Sequence, residues 1–380
     1  MTSAAALRAQ LVAKLTDEGT LTDPAWRAAA ARVPRELFVA GYFAEVPGSN
    51  PTSYRPVQPD SPGWLESVYA DETLVTQLDG RIDAGAAGTG PVTGAPSSSS
   101  TLPSLVLRMW HQLGVEDGHR VLEVGTGTGY STALGAARLG SEQVVSIEVD
   151  PGVATRAATA IKAAGYHPTL VVGDGLDGYP DGAPFDRLIA TCAVRFVPMP
   201  WLYQVAPGGR ILVTLTGWSF RFALALLTVT EPGRAHGRFL PGYTSFMVAR
   251  PHDRPPRQSL WLMPGDERPT RIDPALISDW TGGWVAQLAA PSAEQMGSGS
   301  HQILSDVATG SQARTAPDPE GGWTVVQHGP LRLWDQVEEA VERWQAVGSP
   351  HQEGFGITIT EHGQRVWIGH PDGPGWRLPI

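Results

Sequence analysis

One stretch constrains this chain more than any other: Arg120-Val121-Leu122-Glu123-Val124-Gly125-Thr126-Gly127-Thr128-Gly129-Tyr130. A short apolar run enters a glycine turn that opens a helix, so the backbone can approach a ligand closely at the carboxyl edge of a sheet. Around it the pattern predicts helices over 105–113, 130–139 and 151–164, and strands over 120–124, 143–148, 169–172, 185–190 and 210–215. Such alternation means an α/β domain with a parallel sheet and crossovers on both faces. At 380 residues the chain has room for two to three domains of about 150 residues each.

The glycine turn departs from the dinucleotide fingerprint, because Tyr130 stands where a third glycine three residues after Gly127 is required. Glu123 instead sits two residues before a Gly-x-Gly-x-Gly run, the form used by methyltransferases that bind S-adenosylmethionine. Two more acids follow in order. Glu148 ends the second predicted strand, at the distance where a carboxylate accepts ribose hydroxyls. Asp174, in Gly173-Asp174-Gly175, ends the third, where an acid can face an adenine amino group. The expected cofactor-binding set is Glu123, Gly125, Thr126, Gly127, Thr128, Gly129, Tyr130, Glu148, Asp174 and Gly175.

Composition narrows the partners. Twenty-eight basic against 38 acidic residues give a net charge of −10, opposite to what a phosphate backbone needs, so nucleic acid is not expected as a partner. The single cysteine, Cys192, offers no intrachain disulfide and no cysteine-based metal site, which suits a reducing cytoplasm. No pair among the ten histidines has i, i+4 helical spacing, and no metal is expected. The start lacks a basic region followed by an apolar one, and the run Phe222 to Val229 is too short to span a bilayer. No membrane association is expected.

Along the chain, residues 4–40 read as two helices, the second starting at Asp23-Pro24, where Asp caps and Pro suits the first turn. We expect an N-terminal helical and substrate-side segment over 1–78 and a flexible Gly/Ser-rich loop over 79–100, with little to bury against the entropy of ordering. A cofactor-binding core over 101–249 and a smaller α+β unit over 250–380 follow. The latter shows tryptophans at core spacing, a strand around 301–307, a helix over 331–347 and a hairpin around Glu361-His362-Gly363.

The sequence resembles the protein-L-isoaspartate (D-aspartate) O-methyltransferase family over roughly residues 5–230. The likeness rests on Val33-Pro34-Arg35-Glu36-Leu37-Phe38-Val39, Tyr69-Ala70-Asp71-Glu72-Thr73-Leu74, Val121 to Tyr130, Gly173-Asp174-Gly175, Ala183-Pro184-Phe185-Asp186, Val197-Pro198 and Pro207-Gly208-Gly209-Arg210. It implies a Rossmann-like class I fold dependent on S-adenosylmethionine, with N-terminal helices and the smaller C-terminal α+β domain. It also implies esterification of an aspartyl carboxylate in a peptide or protein. The next residue's amide nitrogen then displaces methanol and closes a succinimide, which water opens to aspartate or isoaspartate. The family's substrate-side serine stands two residues before a proline; with Pro103 in that place the position holds Thr101, a departure. Thr101, Ser100 and Ser99 are therefore the candidate catalytic hydroxyls, within a run of hydroxyls from Ser97. Tyr69, Asp71, Pro103 and Arg195 are the candidate substrate contacts, Arg195 as the best placed of the cations Arg55, Arg108 and Arg195 to meet an acidic acceptor.

Two features separate the chain from the housekeeping repair enzyme: about 18 extra residues between Thr73 and Pro103, and about 130 residues after the catalytic domain. Ser53-Tyr54-Arg55-Pro56, the run Asp71 to Leu78, the serine-rich segment before Pro103 and Leu333-Trp334-Asp335 resemble methyltransferases paired with ATP-grasp ligases in ribosomal peptide maturation. That resemblance implies a crosslinked peptide, a graspetide, as substrate. General isoaspartyl repair and a non-catalytic cofactor-binding adaptor are the alternatives.

Overall fold

The computed structural model describes residues 2–256 and 261–380, and divides the chain into two compact units. Unit 1 comprises Met1–Thr191 with Pro200–Leu212, and unit 2 comprises Cys192–Met199 with Val213–Ile380.

Unit 1 opens with helices α1 (Ala4–Asp17) and α2 (Pro24–Arg32), capped by the side chains of Ser3 and Asp23. Trp26 of α2 is buried with its ring 5.4 Å from that of Trp110. A 3-10 turn over Arg35–Phe38 leads to a small sheet built from β1 (Tyr42–Glu45), β2 (Ser53–Val57), β3 (Leu74–Leu78), β4 (Ile82–Asp83), β5 (Val92–Thr93) and β6 (Pro96–Ser100), with the short helix α3 (Trp64–Val68) between β2 and β3. Its order is β4-β3-β1-β2-β5, with β6 also paired to β3.

The segment 79–100 is therefore not the loose loop its composition suggests. Ile82, Ala84, Ala87 and Val92 pack with Val75 against Phe43, Tyr54 and Leu78, forming a small apolar cluster of their own. Backbone pairing of β6 to β3 does the rest, offsetting the ordering cost without a run of bulky residues.

The core of unit 1 follows the expected alternation: α4 (Pro103–Leu113), β7 (Val121–Val124), α5 (Tyr130–Leu139), β8 (Val144–Glu148), α6 (Pro151–Ala163), β9 (Thr169–Val172) and β10 (Phe185–Val194), then α7 (Met199–Gln204) and β11 (Val205–Leu215). The parallel order is β10-β7-β8-β9, with Glu123 beside Ile189 on one side and Ser146 on the other. Every residue of β7 and β8 is buried, as a sheet covered on both faces requires.

The boundary between the units falls inside β10 and β11, rather than at residue 249. Unit 2 holds β12 (Ala223–Glu231) and β13 (Arg234–Phe239), then β14 (Asp266–Pro269), α8 (Trp280–Ala289), β15 (Ala293–Ser298), β16 (His301–Asp306), β17 (Gln312–Pro317), β18 (Trp323–His328), α9 (Leu333–Ala346), β19 (Phe355–Thr360), β20 (Gly363–Ile368) and β21 (Gly375–Arg377). The series β12-β13-β19-β20-β21 and the separate five-stranded sheet β14-β18-β17-β16-β15 are both antiparallel. Trp284, Trp334, Trp344 and Trp367 are buried as core residues, whereas Trp261 is 76% exposed. Glu338 on α9, 1% exposed, joins the sheet to the helix through Arg268 of β14, 2.8 Å away.

Candidate functional site

The glycine turn after β7 is built by its neighbours on every side. Gly125, Gly127 and Gly129 have φ of 98°, 55° and 90°, a backbone that side chains rarely adopt. Gly129 adds a packing demand, since a Cβ there would lie 2.9 Å from Ile161 Cδ1 on α6. The Thr191 hydroxyl donates to the carbonyls of Val124 and Gly125. Tyr130 starts α5 in the core, 4% exposed, and burial pushes its hydroxyl up to about 12.

Glu148, at the end of β8, accepts from the Gly127 N–H at 2.8 Å through one oxygen and from the Asp150 N–H at 3.0 Å through the other. Each oxygen keeps a second lone pair, so the carboxylate can still accept hydroxyls. Asp174 is exposed and uses one oxygen to cap the turn at Leu176. These two acids stand at the ends of adjacent parallel strands, β8 and β9.

Glu123 does not open on this edge. It is fully buried, and its Oε2 accepts from the hydroxyls of Thr132 and Ser146, while Ser146 also bonds Thr126 Oγ1 at 2.7 Å. Burial pushes its carboxyl up, opposed by hydrogen bonds from Ser131, Thr132 and Ser146. It shapes the turn from beneath. Gly175 is likewise internal: a Cβ there would lie 2.5 Å from Val124 Cγ1, and its carbonyl accepts from the Trp201 indole.

Beside the turn, Arg35 is the organising residue, and in sequence nothing marks it beyond its place in a matching segment. Its guanidinium is wholly buried and donates to the carbonyls of Val68, Ala70, Glu72, Ser100 and Thr101. It also lies 5.6 Å from the Tyr130 ring centroid. Burial lowers its pKa to about 10. Asp71 caps α4 through the Ser104 N–H at 2.8 Å, just past the buried Pro103, and Tyr69 donates to Glu36. Asp71 and Pro103 thus hold the start of α4, while Tyr69 is tied to the turn over Arg35–Phe38.

The hydroxyls of the run meet different surroundings. Ser100 is buried, 3.5 Å from an Arg35 Nη2, and faces inward. Ser99 brings its backbone to the turn, since a Cβ on Gly127 would sit 3.6 Å from the Ser99 carbonyl oxygen. Ser98 joins Thr76, Thr128, Phe38 and Arg156 around a cleft beside Gly127. Thr101 is half-buried at the start of α4. Arg195 belongs to unit 2, where its guanidinium stacks 3.8 Å from the Trp218 ring centroid and donates to the Pro291 carbonyl. Those contacts give it a packing role within unit 2.

The family model described as protein-L-isoaspartate(D-aspartate) O-methyltransferase matches residues 90–224. The protein-L-isoaspartate O-methyltransferase of Hyperthermus butylicus is 30% identical over 241 residues, 61% of this chain and 83% of that protein. The chain belongs to the protein-L-isoaspartate O-methyltransferase family. Similarity is higher over a shorter core: the family member from Anaeromyxobacter dehalogenans is 48% identical over 115 residues, and this chain spans 53% of its length. A solved structure titled protein-L-isoaspartate O-methyltransferase aligns over 96% of this chain and 100% of its own, with TM-score 0.55 and 20% identity, a likeness of fold. Because that alignment takes in nearly the whole chain, a large C-terminal portion does not by itself separate this protein from the family.

Proposed function

We propose that the protein is an S-adenosylmethionine-dependent O-methyltransferase that esterifies an aspartyl or isoaspartyl carboxylate of a peptide or protein. The observation that carries this reading is the pairing of Glu148 and Asp174 at adjacent strand ends, beside a turn that only glycines can form. Glu148 suits the ribose hydroxyls through its remaining lone pairs, Asp174 suits the adenine amino group, and the Gly125–Gly129 turn suits close backbone contact. When bound, the cofactor supplies a methyl group already activated by a sulfonium. An acceptor carboxylate is ionised at neutral pH, so no general base is needed and the chain's own residues need only bind and orient it. Thr101, whose backbone carbonyl accepts from Arg35, is the hydroxyl we assign to that task, with Ser98 in the neighbouring cleft.

For the acceptor we favour a crosslinked ribosomal peptide over damaged protein at large. The support is the stretch 79–100, which is a folded wall against the glycine turn rather than a slack loop. The test is mass spectrometry with S-adenosylmethionine and two acceptors, a crosslinked precursor peptide and a linear isoaspartyl peptide. A gain of about 14 Da, then loss of methanol on succinimide closure, is expected on the crosslinked peptide. Methylation of the linear peptide alone supports repair. Cofactor binding with no transfer to either acceptor supports an adaptor and rejects the enzyme reading.

A further inference from the structure

Strand β3 breaks its register with β6 at Gln77. Thr76 lines the cleft beside Gly127, and the next residue, Gln77, is 4% exposed. Its amide bridges two parts of the chain: Nε2 donates to Asp150 Oδ2 at 3.2 Å, and Oε1 accepts from Ser97 Oγ at 2.9 Å. Ser97 Oγ in turn accepts from the Gly80 N–H at 2.8 Å, which fixes its hydroxyl hydrogen toward Gln77. At the other end, Asp150 caps α6 through the N–H groups of Gly152 and Val153, and its own N–H donates to Glu148. Glu148 then accepts from Gly127. An unbroken chain of hydrogen bonds thus runs Gly80, Ser97, Gln77, Asp150, Glu148, Gly127, from the inserted strands to the glycine turn.

We propose that Gln77 is a positioning residue for the cofactor: through Asp150 it holds the Glu148 carboxylate in its binding orientation, and it ties that orientation to the folding of the insert. This rests on the reading that Glu148 holds the cofactor. A glutamine suits the place because one end must donate to a carboxylate and the other must accept a hydroxyl, and a single amide does both. Buried networks of this kind lock a rotamer more firmly than isolated bonds do.

The experiment is calorimetric titration of S-adenosylhomocysteine into the full chain, with Gln77→Leu and Ser97→Ala compared to wild type and each variant's melting temperature measured without ligand. Gln77→Leu keeps the bulk and removes both polar ends. We expect its Kd to rise about tenfold, the weight of about one net hydrogen bond. Ser97→Ala, which leaves the Asp150 contact in place, should raise it about two- to threefold. A lower melting temperature with Kd unchanged in both variants would make Gln77 a purely structural residue and overturn the proposal. Failure of the wild type itself to bind S-adenosylhomocysteine would instead remove the cofactor reading on which it rests.

Discussion

Replacing Arg35 by methionine keeps most of the buried volume and removes every donor from a group of five carbonyls: Val68, Ala70, Glu72, Ser100 and Thr101. Each is within 3.2 Å of a guanidinium nitrogen, and each loses a charge-assisted bond whose net value is about 1.5 kcal/mol or more. Against that stands relief of the burial of the cation, whose cost is visible in its lowered pKa of about 10. Partial relaxation of the chain recovers more, so we expect a net loss of about 3–5 kcal/mol. Arg35→Lys should lose about half as much, because an ammonium has three donors and lacks the planar fork. Urea unfolding followed by tryptophan fluorescence measures both. The same variants should transfer methyl groups slowly even under conditions where they remain folded, since Tyr69 to Asp71 and the β6–α4 junction lose their common anchor. A loss below about 1 kcal/mol for Arg35→Met would refute the claim that this residue organises the segments beside the turn.

Three further outcomes follow from the site. Glu148→Ala should weaken S-adenosylhomocysteine binding about ten- to hundredfold by calorimetry, because a carboxylate acceptor for hydroxyls is lost. Thr101→Ala should leave that affinity within about twofold and slow transfer about tenfold, read as product per unit time at saturating cofactor. For Glu123, burial raises the folded carboxyl above its unfolded value, so its contribution to stability is full at pH below the unfolded carboxyl range and is lost as pH rises through the folded pKa. Glu123→Gln removes that loss, so the difference in urea midpoint between variant and wild type should move in the variant's favour as pH rises above the unfolded carboxyl range; an unchanged difference would count against the assignment.

The parallel core was legible because its strands are apolar on both faces and its helices carry their own caps, as at Asp150-Pro151. Bounds expected for α5 and β9 match the structure to the residue. The insert was not legible, because Pro96–Ser100 pairs through backbone bonds and serine hydroxyls and carries no apolar alternation to read. Arg35 and Gln77 escaped for a related reason. Their partners lie 20 to 73 residues away, and a buried polar side chain announces its role only through what it touches. Glu123 shows the converse: its place before the glycines was plain, yet the three hydroxyl-bearing neighbours that enclose it come from α5 and β8.

These placements change which feature bears on the acceptor. In fold, the residues after the core have a counterpart in a solved structure that aligns along nearly the whole chain. The insert is different in kind, because it reaches the turn in two ways at once. Ser99 lies against Gly127 by its carbonyl, and Ser97 is bonded to Gln77, whose amide leads to Asp150 and Glu148. An acceptor that presses on β6 would therefore act on the same residues that hold the cofactor acid. By linkage, whatever factor such an acceptor changes cofactor affinity by, the cofactor would change acceptor affinity by the same factor. A peptide held in one fixed shape by crosslinks can exploit such coupling, since it brings little ordering cost of its own to the wall it meets.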